Sequence, residues 1–586
     1  MCHSGSTYIL LKYCQRHEVP KKKNGGEKTM KKILATLLVL AMVLAIVPAV
    51  MAEAPAPITV TVFKGDPGDQ PLEGNKMYKK IADELGITFE IEFLAGDLNQ
   101  TLSLKCEDDK QPDLFDGGNS MEQVEAADVL INFMDYISEE KTPNIWRHLH
   151  GTNIKLDQLL NDHDGALYVI PNYGVTYNEN IVSYNGPSFF LQKKVIEFNN
   201  YVVPKTLNEY FDLIEAYIAA NPNADDGTPY TGFAILCEDW RRFCLINPVQ
   251  HLMGRPNDGE VIVDVHDPEF ATWTFVDKDY AVPYYKKLNE EYHKGLISPD
   301  TFVMNFEQYT NELANGHVLG MFDQAWDFGS ATASLTNEKR YAETFLPIPL
   351  MYSESDLEGI ALPSENWDLS EHYINAGVIN KDRGFGIAKT AEDPERLVQL
   401  IDTLLSDEWQ IALQWGIEDE DWYTDENGRM NMTAEQYQQR SDSEWVRANK
   451  ADAIFTSAPK KAGTMDNGNS WSPDLQPEIR NANLSDYDKA LYEKLGIKAI
   501  EELFSDPIEL APYGEAWQID KGPIDVDYQK WLQLQVEWLP KIISGDPADF
   551  DANWAAFTAE IAPYSDIYAN FMHEEILKLV YPERYQ

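Results

Sequence analysis

The sequence predicts an α/β protein of two or more domains, and three observations carry that prediction. Residues 58 to 93 read as strand, helix, strand, and residues 283 to 322 read as helix, helix, strand. At 586 residues, 44% hydrophobic and 12% aromatic, the chain exceeds what a single core absorbs and has ample apolar surface for more than one.

In the first of these units Ile58, Val60 and Val62 alternate as a strand. Met77, Ile81 and Leu85 make a helix stripe that Gly86 closes, and Phe89, Ile91 and Phe93 alternate again. A right-handed parallel crossover puts FKGDPGD, ending at Asp69, at the carboxyl edge of the first strand. Lys64 and Asp66 are therefore secondary binding candidates. The GDPG loop lacks the GK[ST] of a phosphate cradle, which argues against nucleotide binding.

QPDLFDGGNSMEQ, Gln111 to Gln123, gives a short strand and then a loop from Asp116 to Ser120, whose glycines permit close backbone approach. Leu207, Phe211, Ile214 and Ile218 lie on one face of a further helix, and Trp240, between Asp239 and Arg241, follows another apolar strand.

In the second unit Pro283 suits a first helical turn, Tyr285, Leu288 and Tyr292 share a face, and Gly295 supplies a left-handed stop. After Ser298-Pro299 a second helix carries Phe306, Tyr309 and Leu313 and ends near Gly316. Val318 to Phe322 is a strand, and Asp323, Gln324 and Trp326 are expected on the loop leaving it. Ligands meet an open α/β sheet past the carboxyl ends of its strands, so an aromatic among polar groups there reads as a binding surface. The competing reading is a tryptophan plugging the core.

From Leu346 to Arg383 the chain is rich in proline and glycine and low in periodicity. Leu397, Ile401 and Leu404 form the next buried stripe. Trp415 and Trp422 flank the carboxylates Glu418 to Asp421; Trp415 or Tyr423 could border a site, or the loop is simply solvated. Asn427-Gly428 is a hairpin turn. Trp471, in GNSWSPD, is a further loop aromatic of lower rank.

The N-terminal segment differs in kind. Met30-Lys31-Lys32 opens a basic region, Ile33 to Val47 is apolar, and Val50-Met51-Ala52 is a small-residue cleavage site before Glu53. Residues 30 to 52 read as a secretory signal peptide, and 1 to 29 as an upstream extension from a misplaced start codon. The alternative, an uncleaved anchor, meets an apolar run short of a comfortable span. The first 52 residues hold eight of the 48 Lys and Arg and two of the 96 Asp and Glu, so the remainder carries a net charge of −54. That charge disfavours nucleic acid and anionic membranes as partners and keeps an exported protein soluble. Cys106, Cys237 and Cys244 remain after residue 52, with no metal-like spacing. They read as idle thiols, with a Cys237–Cys244 disulfide unsupported.

Several of these segments, in this order, carry a family resemblance. KGLISP, then NFEQYTNELANGHVLGMF, then a loop tryptophan resembles the extracellular solute-binding proteins of family 1, the sugar receptors of ABC importers that include maltose-binding protein. GFGIAKTAEDPERLVQLIDTLL followed by WGIEDEDWYTDENG is similar to the longer lipoprotein-type members. DGALYVIPNYGVTY, Asp164 to Tyr177, resembles the family's DGK-IYG-IP segment, with Val169 where glycine is usual; PDLFD resembles its PDI segment.

The resemblance implies a two-lobe periplasmic-binding-protein-like fold with a ligand cleft between lobes, each lobe a mostly parallel sheet with helices on both sides. It implies a first lobe of residues 53–175 plus 385–455 and a second of 176–384 plus 456–586, with a hinge near Ala376 to Phe385 and closing helices over Leu532 to Ile561. Asp116, Asn119, Ser120, Asn172, Tyr173 and Tyr177 match cleft positions of the family, the alternative for the two tyrosines being packing at a domain seam; Trp240, Asp323 and Trp326, read from their places past strand ends, are the further binding candidates. Sugar rings stack on aromatics while their hydroxyls take carboxylate and amide partners.

Relatives can hold calcium in a D-x-N-x-N-G loop. Here Asn221, Asn223 and Asp225 stand at its first positions, Asp226 replaces the glycine and the later acids are lost, so no metal and no cofactor is expected. No lipid-attachment cysteine follows the apolar run. The implied function is extracellular binding of an oligosaccharide by hinge closure, without catalysis, by a monomer that hands its ligand to membrane permease subunits. A secreted glycoside hydrolase, which needs two carboxylates about 5 to 9.5 Å apart, and a receptor for a peptide or other polar solute are the alternatives.

Overall fold

A computed structural model describes residues 56–585 apart from 155, 162–164, 180–185, 256–258, 365–366, 373–378, 380–382, 506–510 and 512. The expected signal peptide, its upstream extension, Asp164 and most of the expected hinge lie outside the described residues. Among the described residues, no helix is long and apolar enough to cross a membrane.

Residues 58–586 form one compact unit built around two larger sheets. The first has five strands, in the order Ile87–Phe93, Ile58–Lys64, Leu114–Asp116, Gly384–Ile387, Ile170–Pro171. The predicted strand–helix–strand unit opens it. Asn75 caps helix Lys76–Leu85 by accepting from the Met77 and Tyr78 amides, Gly86 ends it at φ 65°, and the flanking strands pair in parallel. Side chains alternate across this sheet: Val60, Val62 and Leu114 enter one buried cluster, Phe63 and Phe115 another. Helices and loops thus cover both faces.

The second sheet has four strands, in the order Phe345–Ile348, Pro187–Gln192, Val318–Gln324, Thr231–Ala234. The predicted helix, helix, strand series runs into it. Pro283 sits in the first turn of helix Val282–Lys294, Gly295 closes it at φ 81°, and Asn305 with Gln308 forms a capping box on helix Phe306–Ala314. Phe189 and Leu191 face one cluster and Phe190 the other.

The expectation of mostly parallel sheets is corrected. Strand Gly384–Ile387 lies antiparallel between Leu114–Asp116 and Ile170–Pro171, and Pro187–Gln192 is antiparallel to both of its neighbours. These strands enter each sheet as the chain crosses from the other, so no crossover helix sets their direction. Glycine fits the first insertion: a Cβ on Gly386 would stand 2.7 Å from Leu130 Cδ1 and Met121 Cε.

The two large clusters trace how the chain alternates. Residues from Val60 to Tyr177 and from Phe385 to Ile479 build one, and Phe189 to Trp367 with Tyr513 to Ile576 build the other. Ala458, Met465, Trp471 and Ile479 pack with the first. The closing helices, Asp525–Ser544 and Phe550–Val580, bury Trp531, Leu534, Ile542, Phe557 and Ile561 in the second. Asn289 ties them down by donating to the carbonyls of Ile542, Ile543 and Gly545 at 2.8–3.0 Å.

Candidate functional site

Two polar and aromatic walls form at the carboxyl ends of strands, one on each sheet. On the first, register pairs Lys64 with Asp116, the last residues of adjacent strands. Both side chains are buried and form an ion pair of 2.9 Å, bridged by the Ser457 hydroxyl; the Lys64 ammonium also donates to Thr456 Oγ1 at 3.0 Å. A buried pair holds its geometry only when its remaining polar valences are met, and the Gly118 amide, 3.0 Å from Asp116 Oδ1, contributes to that. The loops beyond the strands touch, since a Cβ on Gly65 would collide with the backbone of Gly117 and Gly118.

Around this pair, Asp66 holds Arg383 at 2.5 and 3.1 Å. Asn172 donates its backbone N–H to the Arg383 carbonyl at 3.2 Å and its side-chain amide to the Thr456 carbonyl at 2.8 Å. Tyr173 is 41% exposed beside them. Asn119 lies in the 3-10 turn Gly118–Ser120, and Ser120, half-buried, stands at the start of helix Met121–Ala126. Lys64, Asp66, Asp116, Asn172 and Tyr173 are thus brought together. Arg383, Thr456, Ser457 and Lys460, whose ammonium donates to the Thr456 carbonyl at 3.2 Å, complete the wall without having been marked in the sequence.

On the second wall Trp240 and Trp326 stack on one another, with ring centroids 5.9 Å apart and planes 14° apart, and are 48% and 46% exposed. Gln324 fixes Trp326 by accepting from Nε1 at 2.8 Å. The Arg241 guanidinium lies 4.4 Å over the Trp240 ring and 3.9 Å over Phe306, and its Nε is 3.0 and 3.1 Å from the two Asp327 carboxylate oxygens. Burial pushes the Asp327 carboxyl up, and Arg241 opposes that shift. Arg241 was signalled only by its place next to Trp240.

Asp323 requires correction. The strand continues to Gln324, so Asp323 lies inside it, fully buried, accepting from Tyr309 Oη at 2.8 Å and from the Gln324 amide at 2.7 Å, with Cys244 Sγ 3.6 Å away. Burial pushes its carboxyl up to about 7; Asp327 adds to the shift, while Tyr309 and the Gln324 amide oppose it. It supports the second wall from beneath.

Three aromatic candidates are core residues. Tyr177 is 1% exposed and its hydroxyl is 2.8 Å from His148 Nδ1; Trp471 packs edge-on against it at 6.1 Å. The buried Lys461 ammonium sits 4.8 Å from both ring centroids and pairs with Asp407. Trp415 is fully buried and donates to the carbonyls of Ser470 and Trp471 at 3.1 and 2.9 Å. Neither the family match at Tyr177, the acidic run beside Trp415 nor the loop position of Trp471 marks the three as members of the first core. Tyr423, half-buried, starts the hairpin strand that pairs with Met430–Asn431 across the predicted turn. In the acidic loop beside it, Asp421 is 2.7 Å from Lys76 and Glu418 accepts from Thr424.

Among the described residues, no group of three or more His, Cys, Asp or Glu is placed to hold a metal. At the calcium-like loop, His317 bridges Asp226 and Glu312 at 2.8 Å each. Cys106, Cys237 and Cys244 are free thiols, and burial raises all three above the ordinary thiol range.

No family model and no curated protein matches this chain. Solved structures do. The chain is similar to an HMO-binding, ABC-transporter-associated solute-binding protein from Bifidobacterium longum infantis, with TM-score 0.60, 15% identity, and 90% of this chain and 99% of that one covered. A second solute-binding protein from Bifidobacterium longum subsp. infantis gives 0.58 at 12%, covering 90% and 98%. The S. pneumoniae ABC-transporter substrate-binding protein FusA, in complex with kestose, gives 0.57 at 13%, covering 90% and 100%. At these identities the likeness is one of fold: the chain has the two-lobe α/β fold of the solute-binding proteins, as the sequence resemblance implied.

Proposed function

We propose that this chain is the extracellular substrate-binding component of an ABC importer, and that it takes a carbohydrate, an oligosaccharide, into the cleft between its lobes. The observation that carries the carbohydrate reading is the exposed Trp240–Trp326 pair at the carboxyl ends of the second sheet. Stacked indoles of this kind suit the C–H faces of a sugar ring, and the carboxylates, amides and cations of the first wall suit its hydroxyls. The similar proteins named for HMO and kestose support the same class.

In this reading Asn172, Tyr173, Trp240 and Trp326 belong to the site, with Asn119 and Ser120 beside them, while Asp66 and the buried Lys64–Asp116 pair fix the first wall from behind. Asp323 holds the second wall in place. Core packing supports a lobe boundary near residue 480 rather than 455. The ligand touches both walls, binds the closed form better and shifts the population towards it. Membrane permease subunits then receive the cargo; the protein acts as a monomer, makes no bond, breaks none, and needs no cofactor.

A thermal-shift screen over mono- and oligosaccharides, followed by peptides, tests the reading, because a ligand bound only by the folded state raises its melting temperature. Stabilisation by an oligosaccharide recovered intact is expected. Stabilisation by peptides alone, or recovery of cleaved sugar, contradicts it.

A further inference from the structure

Three cations on and around the first wall are each met by a carboxylate: Lys64 by Asp116 at 2.9 Å, Arg383 by Asp66 at 2.5 Å, and Lys450 by Asp452 at 2.9 Å. Lys460 differs. Its ammonium donates to the Thr456 carbonyl at 3.2 Å and lies 5.4 Å from the Phe455 ring, and among the described residues no carboxylate stands within ion-pair distance of it. The same Thr456 carbonyl accepts from Asn172 Nδ2 at 2.8 Å. Asn172, 4% exposed, leaves its Oδ1 without a hydrogen bond among the described residues. One carbonyl is thus flanked by a cation lacking an anion and a buried acceptor lacking a donor. A buried acceptor such as Asn172 Oδ1 is normally hydrogen-bonded, and the half-buried Lys460 ammonium beside it is open to an anion, so one ligand carrying both groups suits the pair.

We propose that Lys460 is a specificity-determining residue of the first wall, and that the carbohydrate is acidic, carrying a carboxylate or sulfate that pairs with the Lys460 ammonium. This rests on the carbohydrate-receptor reading above and names the substrate class within it. A hydroxyl beside the acidic group supplies the donor that Asn172 Oδ1 lacks. The protein's overall net charge of −48 works against an anionic ligand at long range, so a local unpaired cation is what such a ligand requires. Burial holds the Lys460 ammonium down at about 8; Asp452 and Asp116 oppose this and Lys64 and Lys450 add to it. Pairing with an anion reverses that depression, so the acidic ligand binds best while Lys460 is protonated.

The test is a glycan array of neutral, uronate-bearing, sialylated and sulfated oligosaccharides, followed by calorimetry on the best hit and its neutral counterpart. Wild type, Lys460→Met and Lys460→Arg are compared, each verified as folded by its thermal transition. Binding of acidic glycans is expected. Lys460→Met should weaken it by about tenfold or more, the scale of one charge-assisted hydrogen bond, and Lys460→Arg should retain it. Wild-type affinity should fall from pH 7 to 9.5 while that of Lys460→Arg stays level. The uronate and sulfate arms identify which anion is recognised. Binding confined to neutral glycans, or an acidic hit unmoved by Lys460→Met, overturns this inference and leaves the receptor reading standing. Binding of no glycan overturns both.

Discussion

The indoles of Trp240 and Trp326 lie 14° from parallel, one leaving the strand Thr231–Ala234 and the other leaving its parallel neighbour Val318–Gln324. Trp326→Ala is expected to weaken carbohydrate binding by more than about tenfold, since exposed aromatic anchors are typical hot spots. Trp240→Ala should act in the same direction, because it removes the ring on which Trp326 stacks. Both should leave the melting temperature of the free protein nearly unchanged. Calorimetry with the sugar found by screening decides it, and unchanged affinity removes Trp326 from the site.

Trp415→Ala should behave in the opposite way. The side chain is fully buried against Trp422 and donates to two carbonyls, so its loss should cost about 3–5 kcal/mol in urea unfolding. Ligand affinity of the folded fraction should hold. A mild destabilisation with lost binding would return Trp415 to the site.

Asp323 makes stability depend on pH. Its carboxyl is raised to about 7 by burial, so the folded state binds its proton more tightly than the unfolded chain does. Its contribution is fully present below the ordinary aspartate value and is lost as pH rises through about 7. Asp323→Asn removes that titration. The melting temperature of the variant relative to wild type should therefore improve from pH 5 to pH 8, and a constant difference between the two would contradict the assignment.

His317 works in a neighbouring window. Asp226 and Glu312 raise its pKa against the opposing effect of burial, so the stability it contributes is full below its ordinary value of 6.5 and is lost as pH rises through the raised one. Asp226, lowered to about 2 chiefly by the Thr228 amide and then by His317, keeps its share down to strongly acid pH. His317→Gln should lower the melting temperature at pH 6 and do so less at pH 8.5. Equal losses at both would mean that packing, not charge, is what His317 supplies.

Much of the fold was legible locally. The alternation of Ile58, Val60 and Val62, the stop at Gly86, Pro283 and Gly295 around one helix, and the Asn427-Gly428 turn each rest on residues close in sequence. The site was less legible, because its parts meet only through the fold. Ser457 reaches Lys64 across 393 residues, and nothing local marks Arg383, Thr456 or Lys460 as wall residues. Trp326 and Trp471 both stand on polar loops, yet one is exposed and the other packs into the first core. Asp323 was misplaced by a strand running two residues further than its apolar run, with Tyr309 supplying the buried partner that permits it.

Small-angle scattering of the protein with and without the oligosaccharide identified by screening reads lobe closure itself. A smaller radius of gyration is expected with the sugar bound, reversed when the sugar is removed intact. Superimposable curves at saturating ligand would contradict it.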